Sequence, residues 1–471
     1  MERIEIDKKL FRTLDIRGVS DPRFFDKLKN DDSAHSVKLT SEITEVIGKA
    51  IATSIKPKKV VLGWDARHSS LDLAKAVAKG LVSMGVDVDI IGLCSTDQVY
   101  FSIGNYKYDV GVMITASHAV KQLNGIKISK YKNGKVVPVA KGSGLEEIAD
   151  LSIKQDFEKS DKFGHVEKRK IDIDYNEYIL SFFNYKEFKK QKVVFDPGNG
   201  SGGIAYEGIL SHLPTDNIKI NWLPNGDFPN HEPDPMVDEN MNQIRKKIKS
   251  ENADFGVAWD TDADRVAFIT KKGKVLTGSQ IGPMLLEWVM KKHPGCTIID
   301  TPPMSLIFHK RVAEFGGKVE YSHVGNSNIK IKMEEFDSPF AVEEADHFMF
   351  EESFHAESGI LPFLIIMDTI TKSDTTFDKL LNESTEGSAI SGDINFEIDN
   401  KQQALMKLER EYSYPGNTIM HIDGLYVAND NFHFNIRPSL NDPVLRLNIE
   451  AKTKEIMNHE IGHIKKVVGS L

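Results

Sequence analysis

Apolar and polar residues follow two rhythms along most of the chain, and the rhythms recur in a fixed order. "KKVVLGWDARHSS" (58–70) is a short apolar run that ends in Asp65 and a polar turn. "QKVVFDPGNGSGG" (191–203) repeats that form with Asp196, and "CTIIDTPPMS" (296–305) repeats it with Asp300. Each is followed by a second apolar run that enters a polar loop: "YDVGVMITASH" (108–118), "ADFGVAWDTDADR" (253–265) and "SPFAVEEADH" (338–347). Apolar runs of this length, bounded by turn residues, predict buried strands. Helical patterns accompany them. "SEITEVIGKAIATSI" and "LDLAKAVAKGLVSMG" carry apolar residues at i, i+3 and i+4 spacing, and "NMNQIRKKIKSEN" lies between the second pair of strands. Strands alternating with helices predict parallel α/β units.

Three such units in a row predict an α/β protein of three related mixed α/β domains. From about residue 370 the pattern changes to alternating strands such as "GDINFEI" and "VLRLNIEA", which predict a smaller C-terminal α+β domain. The expected limits are 1–150, 151–252, 253–370 and 371–471. Open parallel sheets bind ligands at the carboxyl ends of their strands. TASH, DTDADR and EEADH occupy that place, so each of the three domains is expected to offer one loop to a central cleft.

Composition narrows the class. A length of 471 residues suits about three or four domains at a prior of roughly 150 residues each. A net charge of −9 argues against a nucleic-acid surface as the main function. The two cysteines, Cys94 and Cys296, have no metal-type spacing and favour a reducing compartment. The N-terminus "MERIEIDKKLFRTLDIRG" is charged and has no apolar signal-peptide core. The longest apolar run, around "GILPFLIIM", is shorter than the about 20 residues that span a bilayer. A cytoplasmic protein with no nucleic-acid or membrane partner is expected.

The candidate chemistry starts at "GVAWDTDADRVAFIT". Asp260, Asp262 and Asp264 stand at every second position and repel one another. On an extended strand they share one face; on a tight loop they wrap around one point. A hard divalent cation resolves the repulsion, and a small oxygen-only donor set suits Mg²⁺. The stretch fits an EF-hand badly, with Arg265 at the sixth position and Lys271 at the twelfth. It is also similar to the DxDxD loop of haloacid-dehalogenase phosphatases, but Asp264 stands where those proteins carry Thr or Val. A nucleophile elsewhere separates the two readings.

Ser117, at the end of "GVMITASH", is that candidate. A lone serine is a weak nucleophile and equally a turn residue or helix cap. Here His118 and Lys127 offer proton-transfer and charge-stabilising groups. Gly125 permits a turn or a close approach that brings Lys127 back toward the serine.

These residues resemble the α-D-phosphohexomutase superfamily, in its phosphomannomutase/phosphoglucomutase branch. That family carries a TASHNP-type loop, a D-G-D-[AG]-D-R loop, a G-E-x-S-G-H loop and an R-P-S-[GN]-T-E-P loop. The matches are TASH at 115–118, DTDADR at 260–265, EEADH at 343–347 and RPSLNDP at 437–443, in family order. "FRTLDIRG", "GWDARHSS", "DPGNGSGG", "GDFPNHEPDP" and "VGNSNIK" match in addition.

The resemblance implies an isomerase that moves a phosphoryl group reversibly between O6 and O1 of a mannose or glucose phosphate. Ser117 carries the phosphoryl group. Mg²⁺ binds Asp260, Asp262, Asp264 and a phosphate oxygen on Ser117. A hexose 1,6-bisphosphate forms as intermediate, acts as activator, and turns end for end. Lys127 and Arg17 lie near the transferred group, and His347 is implied as a proton-transfer aid beside the candidate His118. Arg265 balances the carboxylates and touches phosphate. Glu343 binds sugar hydroxyls, Gly325 belongs to the sugar-orienting loop, and Arg437, Ser439 and Asn441 anchor the far phosphate. The C-terminal domain, joined by one hinge near 370, is the expected mover. The partner is a small hexose phosphate, and the chain is expected to be monomer or dimer.

Departures from the family pattern fall mostly where the sugar is read. Ala119–Val120 replace Asn-Pro, and Thr261 replaces the metal-loop Gly. The sugar loop has Val342, Ala345 and Asp346 in place of Gly, Ser and Gly, and the phosphate loop has Leu440, Asn441 and Asp442. Leu14 replaces a tyrosine and Asn326 a histidine. Losing the serine hydroxyl at Ala345 removes a contact of about 0.5–1.5 kcal/mol. The alternatives are a phosphoglucosamine mutase or a low-activity sugar-phosphate-binding paralogue.

Overall fold

The computed structural model describes residues 3–31, 33–157, 160–302, 305–386, 389–392, 394–398, 400–438 and 444–469. They form two compact units, Met1–Leu276 with Ala345–Phe377, and Thr277–Glu344 with Asp378–Leu471.

The first unit contains two mixed sheets. In one, Val110–Ile114, Lys59–Trp64, Asp87–Leu93 and Val166–Lys168 run parallel, and Leu123–Lys132 and then Ile16–Val19 add antiparallel on the Val110–Ile114 side. Helices Ser41–Ile55 and Ser70–Ser83 bury their apolar stripes here; Ile47, Leu62, Val77 and Val112 are fully excluded from solvent. In the other sheet, Val275–Leu276, Val266–Thr270, Phe255–Trp259, Lys192–Asp196 and Asp216–Lys219 lie in that order.

The second unit has a parallel set, with Thr297–Asp300 between Lys318–Tyr321 and Phe340–Val342. It also has an antiparallel sheet built on Phe432–Pro438 and Val444–Ala451, against which helices Lys401–Tyr412 and Lys454–Val468 pack through Leu408 and Ile464. The sequence echo corresponds to one repeated arrangement. Lys59–Trp64, Lys192–Asp196 and Thr297–Asp300 each lie beside the second strand of their pair, with the crossover strand on the other side. Three related α/β domains and a C-terminal α+β domain are present.

The expected limits differ from these groupings in two places. A limit at residue 252 would divide the second sheet, because Phe255–Trp259 pairs parallel with Lys192–Asp196. The break there is a helix stop: Asn252 takes the left-handed conformation, φ 51°, after helix Asn242–Glu251. Residue 370 falls inside helix Leu361–Lys372, whose apolar run docks in the first unit. Phe363 meets Phe195 edge-on at 5.2 Å, and Phe377 stacks on Phe255 at 4.4 Å. The single hinge expected near 370 also changes. The C-terminal residues group with Thr277–Glu344, held by Asp423 accepting the Val324 N–H at 2.6 Å and Glu450 accepting the Ser305 hydroxyl at 2.8 Å. Among the described residues no helix is long and apolar enough to cross a membrane.

Gly125 is not in a turn. It lies within strand Leu123–Lys132 opposite Arg17, and a Cβ there would stand 2.4 Å from the Ile16 carbonyl oxygen and 2.8 Å from that of Thr115. The close approach, not a reversal, sets Lys127 two residues along the same strand. Gly125→Ala is expected to lower stability by about 1–3 kcal/mol, because backbone oxygens cannot step aside as side chains do. Thermal melting checks this, and an unchanged midpoint would contradict it.

Candidate active site

The DTDADR loop is the turn of the hairpin between Phe255–Trp259 and Val266–Thr270. It is wound, not extended, and Ala263 sits at φ 55°. Its carbonyls point outward to donors from several parts of the first unit. The Asp260 carbonyl accepts from Ala263 N at 3.2 Å, Thr261 from Ser201 N at 2.7 Å, and Asp262 from Thr96 N at 2.8 Å. The Ala263 carbonyl accepts from the Tyr206 hydroxyl at 3.0 Å, and that of Asp264 from His347 Nδ1 at 3.1 Å. Gly200 allows the close fit, since a Cβ would stand 2.6 Å from the Thr261 oxygen.

With the carbonyls turned out, the carboxylates turn in. Asp260, Asp262 and Asp264 are at most 1% exposed, and their ligand oxygens lie within 4.8 Å of one another. Two cations answer them. Lys127 Nζ donates to Asp262 Oδ2 at 2.7 Å and also to Asp264 Oδ2. Arg265 donates to Asp260 Oδ2 at 3.1 Å. Burial opposes the charge on Lys127, but Asp262, Asp264 and Asp260 outweigh it and hold the ammonium above its usual range. Asp260 is pushed well above the carboxylate range, first by burial and then by Asp264 and Asp262. Asp262 Oδ1 is buried with no hydrogen-bond partner among the described residues. Three oxygen donors around one point, with an uncommitted buried oxygen, fit a hard divalent cation.

Ser117 reaches this cluster. Its Oγ donates to Asp260 Oδ2 at 2.8 Å and accepts from Arg265 at 2.6 Å. The residue is buried and held at φ 52°, a conformation uncommon outside glycine. Arg67 fixes the loop. Its buried guanidinium pairs with Asp65 at 3.1 Å and donates to the carbonyls of Ser117, Ala119, Val120 and Leu123 at 2.5, 2.6, 2.9 and 3.1 Å. It also reaches the Thr261 hydroxyl at 3.4 Å, joining the serine loop to the DTDADR loop.

The other expected residues divide between the units. His118 Nδ1 lies 3.3 Å from Ser117 Oγ, and its pKa is driven well below the usual histidine value by Arg265, then by burial, Arg17, His347 and Lys127. His118 is therefore neutral. Arg17 is paired with Asp15 at 2.8 Å. His347 is buried, and because a carbonyl only accepts, its Nδ1 carries the proton toward Asp264. Asp346, where the resembled pattern has glycine, sits at φ 62°, a conformation that Asp tolerates better than most residues. In the second unit Glu343 is buried and accepts the Gly325 N–H at 2.9 Å. Gly325 has φ 111° before helix Asn326–Phe336. Arg437 stands near the end of strand Phe432–Pro438. Ser439 and Asn441 lie outside the described residues.

Sequence reasoning gave no role to Arg67, Thr96, Asp97 or Tyr206. Arg67 was within reach, inside "GWDARHSS". The other three sit far from the loop along the chain, and "STDQ" reads only as a helix start.

Models described as phosphoglucomutase/phosphomannomutase alpha/beta/alpha domains I, II and III match residues 8–156, 173–273 and 277–387. A phosphomannomutase of Escherichia coli strain K12 is 31% identical over 94% of this chain and 96% of its own length. A protein of Xanthomonas campestris pv. campestris named phosphohexose mutases is 30% identical over 94% of this chain and 95% of its own length. The crystal structure of a phosphoglucomutase/phosphomannomutase family protein from Burkholderia thailandensis superposes with a TM-score of 0.84 at 24% identity, covering 99% of this chain and 98% of that one.

Arg67→Met is expected to destabilise the protein by about 3–5 kcal/mol, since it strips the buried Asp65 of its charged partner and removes a donor from each of the carbonyls of Ser117, Ala119, Val120 and Leu123. Urea unfolding reads the loss; a wild-type midpoint would show that the clamp contributes nothing.

Proposed function

The chain belongs to the phosphoglucomutase/phosphomannomutase family and is a phosphohexomutase; we propose that it shuttles a phosphoryl group between O6 and O1 of mannose or glucose phosphate through phospho-Ser117 and a 1,6-bisphosphosugar. The observation that carries this reading is the hydrogen bond of 2.8 Å from Ser117 Oγ to Asp260, inside the carboxylate cluster.

Asp260, Asp262 and Asp264 would hold Mg²⁺, together with a phosphate oxygen on Ser117. Bound there, the ion polarises the transferring phosphoryl group and offsets its charge. The chain's own groups do the rest. Arg265, 2.6 Å from Oγ, grips the phosphoryl oxygens on Ser117. Lys127 brings a permanent positive charge, fixed in place by Asp262 and Asp264. Asp260 Oδ2 takes the serine proton when the group returns from the bisphosphate, with neutral His118 beside the same serine oxygen. His347, its Nδ1 committed to Asp264, exchanges protons with the sugar hydroxyl through Nε2. Arg17 adds charge on the phosphate side.

A single phosphoryl donor reaches one end of the sugar at a time, so the bisphosphate has to turn over. Glu343 and Gly325 hold the sugar, and Arg437 grips the far phosphate with Ser439 and Asn441. Ala345 and Asp346 shift the sugar preference away from the usual family pattern. The glucosamine and low-activity alternatives are not favoured by the comparisons. The hexose 1,6-bisphosphate serves as activator as well as intermediate, and a cytoplasmic location and a monomeric or dimeric state belong to the same reading.

A coupled assay against mannose-, glucose- and glucosamine-phosphates, with phosphorylated protein and Mg²⁺, tests the reading; no turnover of any of them would refute it. In that assay Asp262→Ala is expected to abolish Mg²⁺-dependent transfer while the circular dichroism of the fold survives. Arg437→Ala is expected to raise KM roughly tenfold or more, the worth of a charged hydrogen bond, and to release bisphosphate into solution. Unaltered kinetics would remove Arg437 from the anchor.

A further inference from the structure

Thr96 and Asp97 open the helix Thr96–Tyr106, about 165 residues before the DTDADR loop, yet both are buried against it. Thr96 holds Asp262 at two points: its N–H donates to the Asp262 carbonyl at 2.8 Å, and its hydroxyl donates to Asp262 Oδ2 at 2.5 Å. Asp97 anchors the same helix end. Its carboxylate accepts from the hydroxyls of Ser95, Tyr175 at 2.8 Å, Tyr206 at 2.9 Å and Ser358 at 3.3 Å. Tyr206 also touches the Ala263 carbonyl at 3.0 Å, so the anchor and the loop share one hydroxyl.

We propose that Thr96 is a positioning residue for the cation, turning the Asp262 carboxylate so that Oδ1 is the oxygen presented to Mg²⁺. The inference rests on the reading of Asp260, Asp262 and Asp264 as the cation loop. Oδ2 of Asp262 is engaged twice, by Thr96 and by Lys127 Nζ at 2.7 Å. Oδ1 is buried and has no hydrogen-bond partner among the described residues. A carboxylate rotates about its terminal torsion unless something holds it, because that torsion is broad. The Thr96 hydroxyl removes this freedom from one side and Lys127 from the other. Lys127 also serves Asp264, so Thr96 is the neutral donor dedicated to Asp262. Partners of this kind behind a metal ligand typically set affinity by 10–100-fold.

The test is Mg²⁺ binding to the metal-free full chain by isothermal titration calorimetry, with thermal melting as the control for folding. Thr96→Val keeps the size and the backbone N–H and removes only the hydroxyl. It is expected to weaken Mg²⁺ binding about 10–100-fold while melting near wild type, and Thr96→Ser is expected to restore most of the affinity. In turnover, the Mg²⁺ concentration for half activity should rise in step, while KM for hexose phosphate at saturating Mg²⁺ stays within about twofold, which a general loss of structure would not do. If Thr96→Val does not fold, Thr96→Ala is judged by the same criteria. Wild-type Mg²⁺ affinity in the hydroxyl-free variant overturns the proposal, and so does a Ser variant as weak as Val. Asp262→Asn separates the premises: it should lose Mg²⁺ binding, and wild-type affinity there would overturn the cation-loop reading itself.

Discussion

Three carboxylates buried within 4.8 Å of one another are the constraint on which the first unit is organised. Such a cluster is unfavourable in any chain unless its backbone is held and its charge is answered. The backbone is held by five donors, from Ala263, Ser201, Thr96, Tyr206 and His347, one for each carbonyl from Asp260 to Asp264. The charge is answered by Lys127 and Arg265, which leaves a deficit that a divalent cation is suited to fill. Burial first, and then Asp264 and Asp262, push Asp260, the carboxylate beside the serine, well above the carboxylate range.

Function follows from a second loop arriving at the same point. Ser117 is brought there with a strained backbone, and Arg67 offsets the strain by binding four carbonyls around it. Ala119 and Val120, where the family pattern has Asn-Pro after TASH, give their backbone carbonyls to Arg67. Every residue type has a backbone carbonyl, so this support of the Ser117 loop tolerates the altered sequence. In the EEADH loop the departures at Ala345 and Asp346 are chemical, and Asp346 takes a left-handed backbone at φ 62°.

The sequence made the fold class legible because each parallel set repeats one pair of apolar runs, and the second run of each pair ends in a polar loop. The serine, the acids and Lys127 were legible for the same reason: they stand on those loops or on the next strand. The limits near 252 and 370 were not, since a helix stop at Asn252 and a buried helix from Leu361 to Lys372 look locally like domain edges. Only pairing across the sheet and ring stacking between Phe255 and Phe377 reveal where those segments belong. Thr96 and Tyr206 were illegible because their partners are more than fifty residues away, and no local period encodes a contact of that range. Gly125 signalled a close approach, but not that the approach occurs inside a strand.

The central claim is that Ser117 takes and returns a phosphoryl group beside the acid cluster. Its most direct measurement is intact-mass and peptide-level mass spectrometry of the Mg²⁺-loaded protein, before and after hexose 1,6-bisphosphate with isotope-labelled phosphoryl groups, and again after excess unlabelled hexose monophosphate. A single labelled phosphate is expected to appear on Ser117 with the bisphosphate and to be exchanged for an unlabelled one as the monophosphate turns over. A Ser117 that stays bare throughout, or a labelled phosphate that never exchanges, would contradict it.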